Sequence, residues 1–166
     1  MLRIGLGHDT HRLVDGDAIL LGGVRIEHCR SLYGHSDADV LLHAVTDALL
    51  GAAGLGDIGE LFSDTDPENK DRDSADMLRT AWKMAQADGW GIVNLDAIVF
   101  AQQPKLSPYK QRIRERIAEI LDIAPNRVSV KAKTGERVGP VGREEAISAE
   151  CVVLLTKAGM EAYSPQ

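Results

Sequence analysis

Two short segments hold the residue types from which a catalytic centre could be built. The first, Gly5-Leu6-Gly7-His8-Asp9-Thr10-His11, ends in an Asp-x-His pair. Side chains alternate along a strand, so Asp9 and His11 share a face with Arg3, Gly5 and Gly7. Ile4, Leu6, His8 and Thr10 take the opposite face, and its apolar members predict that it packs inward. Glycines beside two good metal ligands leave room for something to approach the backbone. Asp-x-His is nevertheless short and common, and it equally describes a solvated strand end.

The second segment runs from Gly34 to Asp47. On a helix, Asp39, His43 and Asp47 fall at i, i+4 and i+8, which sets one histidine between two carboxylates. A metal-bound imidazole gives its other N–H to a carboxylate or a carbonyl, so Asp39 and Asp47 are candidates to steady His43. His35 and Ser36 fall at the expected helix start, where free N–H groups and the helix dipole favour a phosphate. Taken alone, this is also a capped amphipathic helix with a half-exposed histidine. Together, however, the two segments supply Asp9, His11 and His43. These are the three protein ligands of a catalytic zinc site whose fourth position stays open.

The elements that must position these residues can be read from periodicity. Residues 2–13 read as a strand, and 18–26 as a hairpin turning at Gly22-Gly23. Residues 38–53 have helical apolar spacing, with Ser36 or Asp37 as cap and Gly54 as stop. The polar stretch 63–73 reads as an exposed loop. Ser74 then caps a helix to residue 88, and 92–101 is a strand. Ser107-Pro108 opens a third helix ending near Leu121. Residues 127–133 alternate as a strand, 136–145 are glycine-rich and charged, and 146–156 form a last strand. The expectation is an α/β (α+β) fold, one catalytic domain over residues 1–166. A single sheet of about four main strands carries helices on one face, with a small hairpin beside it.

Composition narrows the function. The 166 residues are 44% hydrophobic and 27% charged, ordinary for a globular protein. A formal charge of −6 argues against nucleic acid or an anionic membrane as partner. It also means that an anionic substrate needs local cations. No long apolar run or basic-then-apolar leader is present, and two cysteines make no disulfide framework, so a cytoplasmic protein with reduced Cys29 and Cys151 is expected.

The two segments resemble the 2-C-methyl-D-erythritol 2,4-cyclodiphosphate synthases. The likeness is carried by G-x-G-x-D-x-H and by H-S-D-A-D-V-L-L-H-A-V-T-D-A-L-L-G-A-A. It continues through G-D-I-G-E-L-F-S-D-T-D-P and A-Q-Q-P-K-L, and extends over about residues 3–155. The resemblance implies metal-dependent intramolecular phosphoryl transfer. The 2-phosphate of 4-diphosphocytidyl-2-C-methyl-D-erythritol 2-phosphate attacks the β-phosphorus of the same molecule, expels CMP and closes a cyclic diphosphate of isoprenoid precursor biosynthesis. It implies zinc on Asp9, His11 and His43, and magnesium or manganese on Glu136. His35 and Thr134 would steady the transition state. Ser36, Asp57, Ile58, Gly59, Phe62, Ser63, Asp64, Thr65 and Asp66 would surround the methylerythritol phosphate end. Ala101, Gln102, Gln103, Pro104, Lys105, Leu106 and Ser107, with Lys133, Thr134, Gly135 and Glu136, would form the cytidine and phosphate loops. A homotrimer with active sites between subunits is implied as well.

The residue chemistry agrees with this. Phosphoryl transfer asks a protein chiefly for positioning and charge neutralisation, which metal ions supply in an acidic protein. An intramolecular nucleophile needs only a folded-back substrate. Three positions depart from the family pattern. His8 stands where an aromatic residue is customary and is expected to pack away from the metal. Lys133-Thr134-Gly135 replaces a threonine-rich run, which would loosen or recharge the phosphate loop. Pro140 replaces a phenylalanine beside an arginine matching Arg143, which in the family grips an isoprenoid diphosphate on the trimer axis. Weak binding there is expected. The rival readings are a zinc-dependent phosphohydrolase using a metal-activated water, and a non-catalytic isoprenoid-diphosphate-binding module.

Overall fold

The structure, a computed structural model, describes residues 1–63, 69 and 72–157. The chain opens with strands Leu2–Asp15 (β1), Ala18–Leu21 (β2), Val24–Glu27 (β3) and Arg30–Tyr33 (β4). Helices Val40–Ala53 (α1), Ile58–Leu61 (α2) and Ser74–Ala87 (α3) follow, then strand Trp90–Phe100 (β5). Helix Lys110–Leu121 (α4), strand Val128–Lys133 (β6), the short helix Gly139–Gly142 (α5) and strand Ala146–Lys157 (β7) complete it. The main sheet has the order β4-β1-β7-β5-β6, and β2 and β3 pair apart from it as the expected hairpin. Only β5 and β6 run parallel; β7 lies antiparallel to both its neighbours. Among the described residues, no helix is long and apolar enough to cross a membrane.

The four main strands expected, β1, β5, β6 and β7, form the sheet, and a fifth joins them at its edge. The additional one, β4, is only four residues long and pairs Arg12 with Tyr33 and Asp15 with Arg30. Too short to show a period, it nonetheless sets the Tyr33 carbonyl beside the end of β1.

The faces of β1 are the reverse of the sequence expectation. Gly5 and Gly7 are buried under α1, whereas Leu2, Ile4 and Leu6 remain 66%, 72% and 67% exposed. A Cβ at Gly5 would strike the Ala48 carbonyl oxygen, and one at Gly7 the Ala44 carbonyl oxygen. The missing side chains therefore let a helix backbone lie directly on the strand backbone. What approaches the glycines is α1, not a ligand. This contact turns Asp9 and His11, on the same strand face, toward the helix that carries His43.

Helix α1 is buried nearly all round, from Val40 to Ala53, between the sheet, α3 and the hairpin. Its cap is Asp39, not Ser36 or Asp37. The Asp39 carboxylate accepts from Leu41 N at 3.2 Å and Leu42 N at 3.0 Å, and also from Gly22 N at 2.9 Å and Gly23 N at 2.6 Å. One wholly buried side chain thus fastens the hairpin turn to the helix start. Gly22 and Gly23 both have positive φ, as a two-residue turn of this hand requires. Asp73 caps α3, and Ser74 is its first residue. Helix α4 begins at Lys110, after a turn through Ser107-Pro108, and has no side-chain cap.

Candidate functional site

The two segments meet as their spacing predicts. Asp9 Oδ2 lies 2.9 Å from His11 Nε2 and 2.9 Å from His43 Nδ1, and the two ring nitrogens are 3.1 Å apart. A tetrahedral ion with bonds of ~2.0–2.1 Å keeps its ligand atoms ~3.3 Å apart, so these three need spread by only a few tenths of an ångström to hold one. His11 Nδ1 donates to the Tyr33 carbonyl at 2.8 Å; a carbonyl can only accept, so Nε2 is the nitrogen that would give up its hydrogen to a metal in the cluster. Among the described residues, this is the one cluster of His, Cys, Asp or Glu with metal-site geometry.

The electrostatics favour a cation at this point. Burial works to raise the Asp9 carboxyl, but hydrogen bonds to His11 and His43, together with their charges, outweigh it and hold Asp9 well below the ordinary carboxylate range. For His11 burial works downward, yet the hydrogen bond to Asp9 and its negative charge raise the imidazole above its usual value. The cluster therefore attracts positive charge, whether a proton or a metal ion.

A cavity of about 430 Å³ opens over the cluster. Asp9, His11, His35, Ser36, His43, Asp47, Ile58, Gly59 and Phe62 line it, with His8 at its wall. Of the residues matched to the methylerythritol phosphate end, Ser36, Ile58, Gly59 and Phe62 lie together on its lining. Asp57 is engaged as the cap of α2, accepting from Glu60 N at 2.8 Å. The Ser63 carbonyl accepts from Asn69 Nδ2 at 2.9 Å. Asp64, Thr65 and Asp66, with most of the expected exposed loop, lie outside the described residues; Asn69, within that stretch, is buried.

Several expectations are corrected here. Asp39 and Asp47 make no hydrogen bond to His43. Asp39 is spent on the cap, and Asp47 accepts from Ile58 N at 2.8 Å, which anchors α2 at the cavity wall. Burial first, then the nearby charges of Asp57 and Asp9, raise Asp47 above the usual carboxylate value. His43 Nε2 instead meets Ser74 Oγ at 2.8 Å and Ser36 Oγ at 3.0 Å. The helix N–H groups expected to greet a phosphate are occupied by Asp39, so His35 and Ser36 border the cavity from the preceding loop. His8 is exposed rather than packed; its Nε2 lies 3.2 Å from Thr10 Oγ1, and its ring is 3.8 Å from Glu150. Ser74, Asn69 and Met77 were not singled out from the sequence. Ser74 read as a helix cap, and nothing in the spacing marks the other two.

A second cavity, of about 320 Å³, is lined by Ala101, Gln102, Gln103, Pro104, Lys105, Leu106 and Ser107, with Ala132, Lys133 and Thr134. None of its lining residues is shared with the first cavity. Thr134 Oγ1 donates to Glu136 Oε1 at 2.8 Å, so the two residues act as a unit on this side. Gly135 does not loosen the loop: a Cβ there would strike the backbone of Gly142, which marks close packing onto α5. Arg143 lines a third cavity with Arg12 and Arg30, while Pro140 is exposed on α5. The Arg143 guanidinium is paired twice with Glu145, at 2.8 and 3.1 Å.

Known proteins are similar to this chain over nearly its whole length. The 2-C-methyl-D-erythritol 2,4-cyclodiphosphate synthase of Pseudomonas putida is 55% identical over 157 residues, spanning 95% of this chain and all of the relative. That of Shouchella clausii is 53% identical over 158 residues, 95% of this chain and 99% of the relative. A solved 2C-methyl-D-erythritol-2,4-cyclodiphosphate synthase with CDP bound superposes with a TM-score of 0.86 at 36% identity, covering 93% of this chain and all of that one. The YgbB family model matches residues 2–156. With the strand and helix segments meeting in one cluster and relatives of this identity along nearly the whole chain, the protein belongs to the YgbB family, that of the 2-C-methyl-D-erythritol 2,4-cyclodiphosphate synthases.

Proposed function

We propose that the protein is a phosphorus–oxygen lyase. It converts 4-diphosphocytidyl-2-C-methyl-D-erythritol 2-phosphate to 2-C-methyl-D-erythritol 2,4-cyclodiphosphate and releases CMP. The observation that carries this reading is the convergence of Asp9 Oδ2, His11 Nε2 and His43 Nδ1 at about 3 Å beneath a cavity fitted with the matched residues. Zinc bound there supplies Lewis-acid polarisation of a phosphate oxygen. His35 and Ser36 border the reacting phosphates, and Ile58, Gly59 and Phe62 hold the apolar end of the substrate. Thr134 and Glu136 act at the diphosphate from the other cavity, with Glu136 holding magnesium or manganese. The name of the CDP-bound relative supports a cytidine nucleotide in the pocket formed by Ala101 to Ser107.

The two cavities stand apart within one chain, which supports an active site completed by a neighbouring copy in a homotrimer. The bare apolar row of Leu2, Ile4 and Leu6, continued by Val152 on β7, is the surface that such assembly would cover. A cytoplasmic location is proposed with it, in keeping with Cys29 and Cys151 both being free thiols.

The test is incubation with the diphosphocytidyl substrate, zinc and magnesium in ¹⁸O-water, followed by phosphorus NMR and mass spectrometry. A cyclic diphosphate and CMP free of solvent oxygen are expected. Solvent oxygen in either product, CMP or a linear methylerythritol phosphate, would favour the phosphohydrolase, and no turnover the non-catalytic binding module.

Two substitutions refine the reading. Glu136→Gln is expected to keep zinc and to raise the magnesium or manganese concentration needed for turnover; an unchanged metal-dependence curve removes Glu136 as a ligand. Pro140→Phe is expected to tighten binding of farnesyl or geranyl diphosphate by about tenfold to a hundredfold, because an aromatic ring adds apolar contact that the proline lacks. In the native protein, Glu145 already occupies the Arg143 guanidinium. Calorimetric titration of both proteins checks this, and tight native binding would refute it.

A further inference from the structure

His43 reaches the metal cluster through Nδ1, so the state of Nε2 decides whether Nδ1 has a lone pair to offer. Nε2 lies 2.8 Å from the hydroxyl of Ser74, a residue with no exposed surface at the start of α3. The Ser74 hydroxyl in turn donates to Asp37 Oδ1, while Ser74 N donates to Asp37 Oδ2 at 3.0 Å. A carboxylate only accepts, so the hydroxyl hydrogen is committed to Asp37 and the serine oxygen is left as an acceptor. That oxygen requires a hydrogen on His43 Nε2. With its hydrogen held on Nε2, the ring has Nδ1, 2.9 Å from Asp9 Oδ2, as the nitrogen that would give its lone pair to a bound metal. Ser36 Oγ, 3.0 Å from Nε2, already accepts from Ala38 N at 3.2 Å and shares the same hydrogen without changing the count.

We infer that Ser74, oriented by Asp37, is a positioning residue that fixes the tautomer and ring orientation of His43 as a metal ligand. The inference rests on the reading that Asp9, His11 and His43 hold zinc. Carboxylate-to-imidazole support of this kind normally acts directly on the ring. Here it passes through a hydroxyl, and the two supporting residues come from different segments, the loop before α1 and the first turn of α3. Main-chain bonding joins those segments again, since Asp37 N donates to the Arg72 carbonyl at 3.3 Å. The start of α3 is therefore part of the machinery that builds the metal site.

The test measures zinc affinity by chelator competition on the full-length protein, wild type beside Ser74→Ala, Ser74→Thr and Asp37→Asn. Ser74→Ala is expected to weaken zinc binding about tenfold to a hundredfold, and Asp37→Asn to weaken it less. Ser74→Thr, which keeps the hydroxyl, should restore it. The visible spectrum of the cobalt-substituted Ser74→Ala protein should shift, because a freed ring changes the ligand field while the three ligands remain. Long-range ¹H–¹⁵N correlation on the zinc-loaded wild type should find the His43 hydrogen on Nε2, a readout that survives even if a variant fails to fold. A hydrogen on Nδ1, or unchanged affinity and spectrum in a folded Ser74→Ala protein, overturns the inference. A wild type that binds no zinc overturns the reading beneath it instead.

Discussion

His43→Ala is expected to lose both zinc and turnover while the protein stays folded. Only two protein ligands would remain, and the geometry of a three-ligand site with one open position is gone. Metal content should fall from about one zinc per subunit to almost none, and the cyclic diphosphate should vanish from the phosphorus NMR spectrum. Folding tolerates the change for three reasons. Alanine is the best helix former, and position 43 lies inside α1. The Ser74 hydroxyl keeps its bond to Asp37, so no buried donor is stranded. The vacated space joins a cavity of about 430 Å³ already open beside it. His43→Ala protein with full zinc occupancy would disprove the assignment of these ligands.

How much of this was legible in the sequence differs from residue to residue. Alternation along β1 and the 3.6-residue period of α1 put Asp9, His11 and His43 in reach of one another, because those two elements are long enough to display their periods. The hairpin was visible in Gly22-Gly23. The support behind these three residues was not. One partner is a main-chain carbonyl, Tyr33, which any residue could provide; the other is Ser74, thirty-one positions along the chain from His43. Asp39 sits at the right spacing to serve His43, yet the helix begins just after it, and a carboxylate at that point meets free N–H groups before it can meet the imidazole. The inversion of β1 has a similar cause. Hydrophobicity suggests a face that leaves water, but it does not say on which side of a strand the helix will pack. Glycine, which looks featureless, marked the inner face.

That inner face carries the second large effect. In Gly7→Val, the new Cβ would fall on the Ala44 carbonyl oxygen and 2.6 Å from Ala48 N, both main-chain atoms within a regular helix. Neither can rotate away as a side chain would, so α1 must lift from β1. Overpacking of this kind costs about 3 kcal/mol or more where the obstacle is backbone. The displacement is also aimed at the site: Ala44 follows His43 directly, and Asp9 and His11 stand two and four residues beyond Gly7 on the same strand face. The variant should therefore lose zinc affinity and stability together, whereas His43→Ala separates them. Gly51→Ala provides the contrast. It lies in the same helix, where an added Cβ meets nothing within 4 Å, and the substitution should stabilise by about 0.5–1 kcal/mol through helix propensity alone. Denaturant melts with chelator titrations would measure both variants. If Gly7→Val melted like the wild type and bound zinc as tightly, the direct backbone contact between α1 and β1 would not be what holds the three ligands in register.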